Sequence, residues 1–148
     1  MAKRKELIRI KKGVYTYTND YNQLELANKL KRPSYISLQT VLFCNNIIFQ
    51  DFSRTVTSAT NNNLSVKINE KTYLYYKIKD EILLNPLGVI TENNIRIASV
   101  ERAICDTIYL NKNYYFDNLK NINKETLSKM SLIYNKRVKN EVKRICLT

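Results

Sequence analysis

The chain of 148 residues contains no histidine and no tryptophan, and only two glycines, two prolines and three cysteines. Without histidine, Ser-His-Asp and Cys-His nucleophilic arrangements are excluded. Carboxylates and lysines remain as candidate acids and bases, but paired carboxylates are scarce. Asp80-Glu81 is an adjacent pair whose members point to different sides of any regular element, and it reads as decoration of a solvated turn. Neither Gly13 nor Gly88 sits in a glycine-rich loop of the kind that cradles phosphate. The shortage of glycine and proline also argues against a flexible linker or low-complexity tail. Cys44, Cys105 and Cys146 are widely spaced and odd in number. Zinc sites want clustered ligands at short spacing, so the three read as small hydrophobes or free thiols. The expectation is a protein with no cofactor, no metal and no catalytic activity. Apolar runs such as Ile47-Ile48-Phe49 are far too short to span a bilayer. No apolar core of a signal peptide follows the basic N-terminus, which places the chain in the cytoplasm as an expectation.

What is present is an ordinary apolar fraction of 44%, enough to bury a real core, and a formal net charge of +12. The charge is concentrated at the ends. Residues 1–12 carry Lys3, Arg4, Lys5, Arg9, Lys11 and Lys12 against Glu6 alone, a net of +5. Residues 120–148 carry eight cations against Glu125 and Glu141, a net of +6, which leaves +1 for the whole middle. An AT-rich coding bias would enrich Asn, Ile and Lys everywhere, whereas the charge is not spread evenly. Two basic ends on a nearly neutral body suit a polyanion such as duplex DNA. The candidate nucleic-acid contacts are Lys3, Arg4, Lys5, Arg9, Lys11 and Lys12 at one end and Lys129, Lys136, Lys139 and Lys143 at the other.

Hydrophobic periodicity divides the chain into short elements. Leu7–Ile10 and Gly13–Tyr17 read as a β-hairpin turning at Lys11-Lys12-Gly13. Asn19-Asp20 breaks that pattern and reads as the cap of a helix over 22–30, where Leu24, Ala27 and Leu30 recur at helical spacing. Pro33 is a rigid lead-in to Ser37, which reads as the N-cap of a helix bearing Leu38, Val41, Leu42 and Asn45. That helix should end near Asn45-Asn46. Arg54–Thr60, Leu64–Ile68, Thr72–Ile78, Gly88–Ile90 and Ile95–Ile97 read as strands. The short turns between them predict antiparallel pairing. Ser99 caps a helix running to Leu110, on which Arg102 and Asp106 have the spacing of a surface ion pair. In the C-terminal segment Leu127, Met130, Tyr134, Val138, Val142 and Ile145 form one stripe, with the lysines off it and Asn135 dividing it into two helices. The predicted fold is α+β: an antiparallel sheet flanked by helices, with an N-terminal basic hairpin and C-terminal amphipathic basic helices.

Four blocks carry a resemblance. Gly13-Val14-Tyr15, Leu26-Ala27, Pro33-Ser34-Tyr35-Ile36-Ser37-Leu38-Gln39-Thr40-Val41-Leu42 and Ile97-Ala98-Ser99-Val100-Glu101-Arg102-Ala103-Ile104-Cys105-Asp106 occur in that order. Their succession, spanning about residues 7–135, resembles the AbiEi antitoxins of type IV toxin–antitoxin and phage abortive-infection systems. Val100 departs from the pattern, where the family often has proline. The resemblance implies that residues 1–20 hold the remnant wing of a winged helix-turn-helix, and residues 21–148 the antitoxin domain. Only six residues precede the hairpin, so the expectation is that the groove-reading helices are largely missing. It further implies neutralisation of an AbiEii-like nucleotidyltransferase toxin, with or without a stable complex. Pro33, Ser34, Tyr35, Ile36, Ser37, Glu101 and Asp106 are the positions it singles out. The alternative expectation, from charge alone, is a DNA-binding transcriptional regulator.

Overall fold

The computed structural model describes residues 8–11, 14–16 and 21–148. Strands β1 (Ile8–Lys11) and β2 (Val14–Thr16) pair antiparallel, with a register shift between Arg9 and Lys11. The expected turn at Lys12-Gly13 and the expected cap at Asn19-Asp20 lie outside the described residues. Helix α1 (Gln23–Leu30) is instead capped by Asn22, whose side-chain oxygen accepts from the Leu24 and Glu25 amides at 2.9 and 3.2 Å. That bond satisfies amides the helix cannot pair internally.

Next come β3 (Ser34–Ile36), α2 (Gln39–Cys44), β4 (Thr55–Thr60), β5 (Leu64–Ile68), β6 (Lys71–Lys77) and α3 (Asp80–Leu83). The chain continues through β7 (Val89–Glu92), β8 (Ile95–Ala98), α4 (Val100–Leu110), α5 (Lys124–Ser131) and α6 (Lys136–Cys146). Six strands form one sheet in the order β5-β6-β4-β3-β8-β7. Two hairpins follow from their turns. Asn69, with φ 55°, turns β5 into β6, while Asn93 and Asn94, with φ 53° and 66°, turn β7 into β8. Asparagine tolerates this left-handed backbone better than other side chains do.

The sheet is mixed rather than antiparallel. β4 runs parallel to β6, and β3 parallel to β8. Short turns govern only the two hairpins. Beyond them β3 and β4 pair antiparallel across the α2 segment, while β6 passes inside β5 to lie against β4 and β8 lies against β3. β3 was not expected as a strand. Its three residues are buried on both sides, so they carry no alternation to read. Ser37 follows it and is not a helix cap: α2 opens at Leu38, without a side-chain cap. The carboxylates of Asp80 and Glu81 are exposed, but on the first turn of α3 rather than in a turn.

Partnered residues of neighbouring strands face the same way, which gives the sheet two faces. Tyr73 and Tyr75 point to α1, where the Tyr75 hydroxyl donates to the Ala27 carbonyl at 2.5 Å and Tyr73 donates to Gln23. Burial pushes the Tyr73 hydroxyl up to about 12 and Tyr75 higher still. Tyr35 points to the opposite face, against α4. Outside α4 lie α5 and α6, seated by the expected stripe: Leu127, Met130, Tyr134, Val138, Val142 and Ile145 are all buried. Asn123 and Asn135 cap these two helices. Cys105 is buried, Cys146 half-buried and Cys44 exposed, all as free thiols. Among the described residues no helix is long and apolar enough to cross a membrane.

Candidate functional site

Three of the positions carried by the resemblance, Tyr35, Ser37 and Asp106, converge on one buried polar cluster. β3 delivers Tyr35 to the helix side of the sheet, and the chain leaving β3 places Ser37 beside it. α4 is started by Ser99, whose hydroxyl accepts from the Arg102 amide at 3.2 Å. One turn of that helix separates Arg102 from Asp106, so both project from the same side. Tyr134 arrives from the connection between α5 and α6.

Asp106 is 0% exposed and accepts three hydrogen bonds. Tyr35 donates to its Oδ2 at 2.8 Å, Ser37 to the same oxygen at 2.7 Å, and Tyr134 to Oδ1. Arg102 is also 0% exposed. Its Nε and Nη2 donate to the Tyr35 hydroxyl at 3.1 and 3.0 Å. Nη2 also reaches the Ile82 carbonyl at 2.6 Å, and Nη1 reaches the carbonyls of Asn85 and Leu87 at 2.7 and 2.5 Å. The planar guanidinium fork thereby holds the segment that leads from α3 to β7. The Tyr35 hydroxyl relays between the charges, accepting from the cation and donating to the anion.

The expected surface pair of Arg102 and Asp106 is therefore corrected. Both are buried, and they are linked through Tyr35 rather than in direct contact. Four-residue spacing says only that two side chains share a helix face. Whether that face meets solvent depends on the sheet and on α5 and α6, and every residue from Arg102 to Ile108 is buried.

Burial dominates the electrostatics. It raises the Asp106 carboxyl above its ordinary value of 3.8, with Arg102 and the three hydroxyl donors opposing. Burial, then the Asp106 carboxylate, holds the Tyr35 and Tyr134 hydroxyls well above their ordinary value of 10.0. Burial works against the Arg102 charge, but Tyr35, Tyr134 and Asp106 more than offset it. Each charge has its hydrogen-bond partners, and neither is open to solvent, so no substrate reaches them in this conformation. The cluster clamps β3, the α3–β7 segment, α4 and the α5–α6 connection to one another.

Of the other singled-out positions, Ile36 is core. Ser34 donates to the Lys31 carbonyl at 2.6 Å, and Pro33, after a cis peptide bond, accepts from Thr60 at 2.7 Å through its carbonyl. Glu101 stands half-buried on the first turn of α4 and, among the described residues, makes no hydrogen bond to the cluster. Arg102 and Tyr134 were missed as cluster members. A tyrosine within the stripe Leu127–Ile145 was the available signal, because a buried hydroxyl wants a partner.

The candidate nucleic-acid contacts separate. Lys3, Arg4, Lys5 and Lys12 lie outside the described residues; Arg9 is exposed on β1, the strand that also contains Lys11. Lys129 is exposed beside Glu125 at 3.3 Å. On α6 the residues Lys136, Lys139 and Lys143 are exposed, form a row off the stripe of Val138, Val142 and Ile145, and among the described residues form no ion pair. The acid on this helix, Glu141, is occupied by Arg144. Among the described residues no group of three or more Cys, Asp or Glu is placed to hold a metal ion. No protein-family model matches the chain, and no curated protein matches it.

Proposed function

We propose that the chain is a non-catalytic antitoxin of the AbiEi kind, acting in the cytoplasm against a nucleotidyltransferase-like toxin of a type IV abortive-infection system. The observation that carries this reading is the union of two sequence blocks. Tyr35 and Ser37 of the Pro-Ser-Tyr-Ile-Ser block meet Arg102 and Asp106 of the Ser-Val-Glu-Arg-Ala-Ile-Cys-Asp block across 67 to 71 residues. Blocks that share no local reason to go together form one interior unit, as the signature of a single domain should. Their burial fits a scaffold and not a reaction centre, because the polar groups that would do chemistry are spent on each other.

Growth rescue tests the proposal. A toxin encoded beside this chain is induced in cells with and without the 148-residue protein. Restored growth is the expected outcome. Arrest that persists while the protein is folded and present removes the antitoxin reading.

A second reading, a regulator that binds duplex DNA, is favoured by the exposed Lys136, Lys139 and Lys143 on α6. Such a row of cations is suited to phosphates rather than to base edges.

A further inference from the structure

On the α4 side of the sheet, flanking the Asp106 cluster, a cavity of about 380 Å³ lies between α2, the end of α4 and the end of β6. Its walls include Leu38, Leu110, Tyr76 and Tyr114, with Gln39 and Lys77 among the polar members. Three observations set it apart. Leu38 adopts φ 62° and ψ −140°, a backbone region that residues with a side chain rarely enter. The surrounding fold holds it there: the Ser37 amide donates to the Thr57 carbonyl at 3.1 Å and the Thr40 amide to the Thr57 hydroxyl at 2.9 Å. That turn sets the next residue, Gln39, against the cavity. The Gln39 side-chain oxygen is buried and has no hydrogen-bond partner. A lone acceptor of this kind is costly unless something supplies a donor. Tyr114, finally, is braced against Phe116, ring centroids 5.4 Å apart, so one aromatic wall is held in place.

We propose that this cavity binds an adenine or cytosine nucleotide, whose base carries an exocyclic amine (the 6-amino or 4-amino group) where guanine and uracil carry a carbonyl. The tyrosine rings and leucines offer a planar heterocycle an apolar bed. Gln39 lies on the cavity wall, and its Oε1, the acceptor without a partner, is the atom that receives the amine. Lys77 is exposed and, among the described residues, forms no ion pair, which leaves its ammonium for the phosphate. The volume lies within the range of small-molecule pockets. This inference stands apart from the antitoxin reading, and neither requires the other.

Calorimetry on the full chain tests it with adenosine 5′-monophosphate, cytidine 5′-monophosphate and uridine 5′-monophosphate. The first two should bind at least about tenfold more tightly than the uridine nucleotide, which presents a carbonyl where the amine belongs. Gln39→Leu should weaken adenosine 5′-monophosphate by about tenfold while the melting temperature stays level or rises, because a buried oxygen without a partner is removed. Lys77→Gln should weaken the nucleotide and leave adenosine unchanged. A short oligoadenylate that binds more tightly than the mononucleotide places the base in a single strand, and weaker binding places it in the free nucleotide. Equal affinity for the adenine and uridine nucleotides, unaltered binding by Gln39→Leu, or no saturable binding at millimolar concentration overturns the proposal.

Discussion

Asp106 ties its own ionisation to folding, because solvent reaches it only when the chain opens. Its carboxyl is raised above 3.8 in the folded protein, so the folded state binds the proton more tightly than the unfolded state. The stability this group contributes is then fully present below its ordinary value and is lost as pH rises through the folded value. Urea titrations of the native chain and of Asp106→Asn, compared across that window, should show the native advantage shrinking as pH rises. An advantage that grows with pH would mean that Arg102 and the three hydroxyls outweigh burial. Removing the carboxylate altogether, as in Asp106→Ala, leaves the Arg102 cation buried without its counter-charge. A loss of about 3–5 kcal/mol is expected at neutral pH.

Individual elements were legible in the sequence wherever their cause is local. Ser99 was readable as the cap of α4 and Asn135 as the division between α5 and α6, because a cap needs only its own helix. The β5–β6 and β7–β8 hairpins were readable from their Asn-containing turns for the same reason. β3 was not, since three residues buried on both faces carry no period. Ser37 was misread because its hydroxyl has a partner 69 residues away, which no local pattern announces. Of the buried cluster, the motif positions Tyr35, Ser37 and Asp106 could be singled out, but not their union or the burial of Arg102. The α6 cap makes a prediction at this scale. Asn135 accepts from the Val138 amide at 3.0 Å. Asn135→Ala should lower stability by about 1 kcal/mol and Asn135→Gly by only a few tenths. Thermal melts that rank the two substitutions the other way would remove the cap from the account of α6.

At the scale of the whole molecule, charge and connectivity pull on different properties. The exposed Lys136, Lys139 and Lys143 are expected to serve association more than stability. If the chain binds duplex DNA, affinity should fall steeply with salt. Replacing all three by glutamine should flatten that slope by about 0.9 for each phosphate no longer neutralised, with the melting temperature unchanged. A slope unmoved by the triple substitution would take α6 out of the interface. Connectivity has a different consequence, set by where Tyr134 lies in the chain. As the protein is made, Tyr35, Ser37, Arg102 and Asp106 all emerge before the residue that serves the second oxygen of the carboxylate. Until Tyr134 clears the ribosome, α4 carries an anion that is only half answered, and α6 is not yet in place outside it. Completion of the interior thereby waits for residue 134, and a chain interrupted before it should present a conspicuous substrate to cellular proteases.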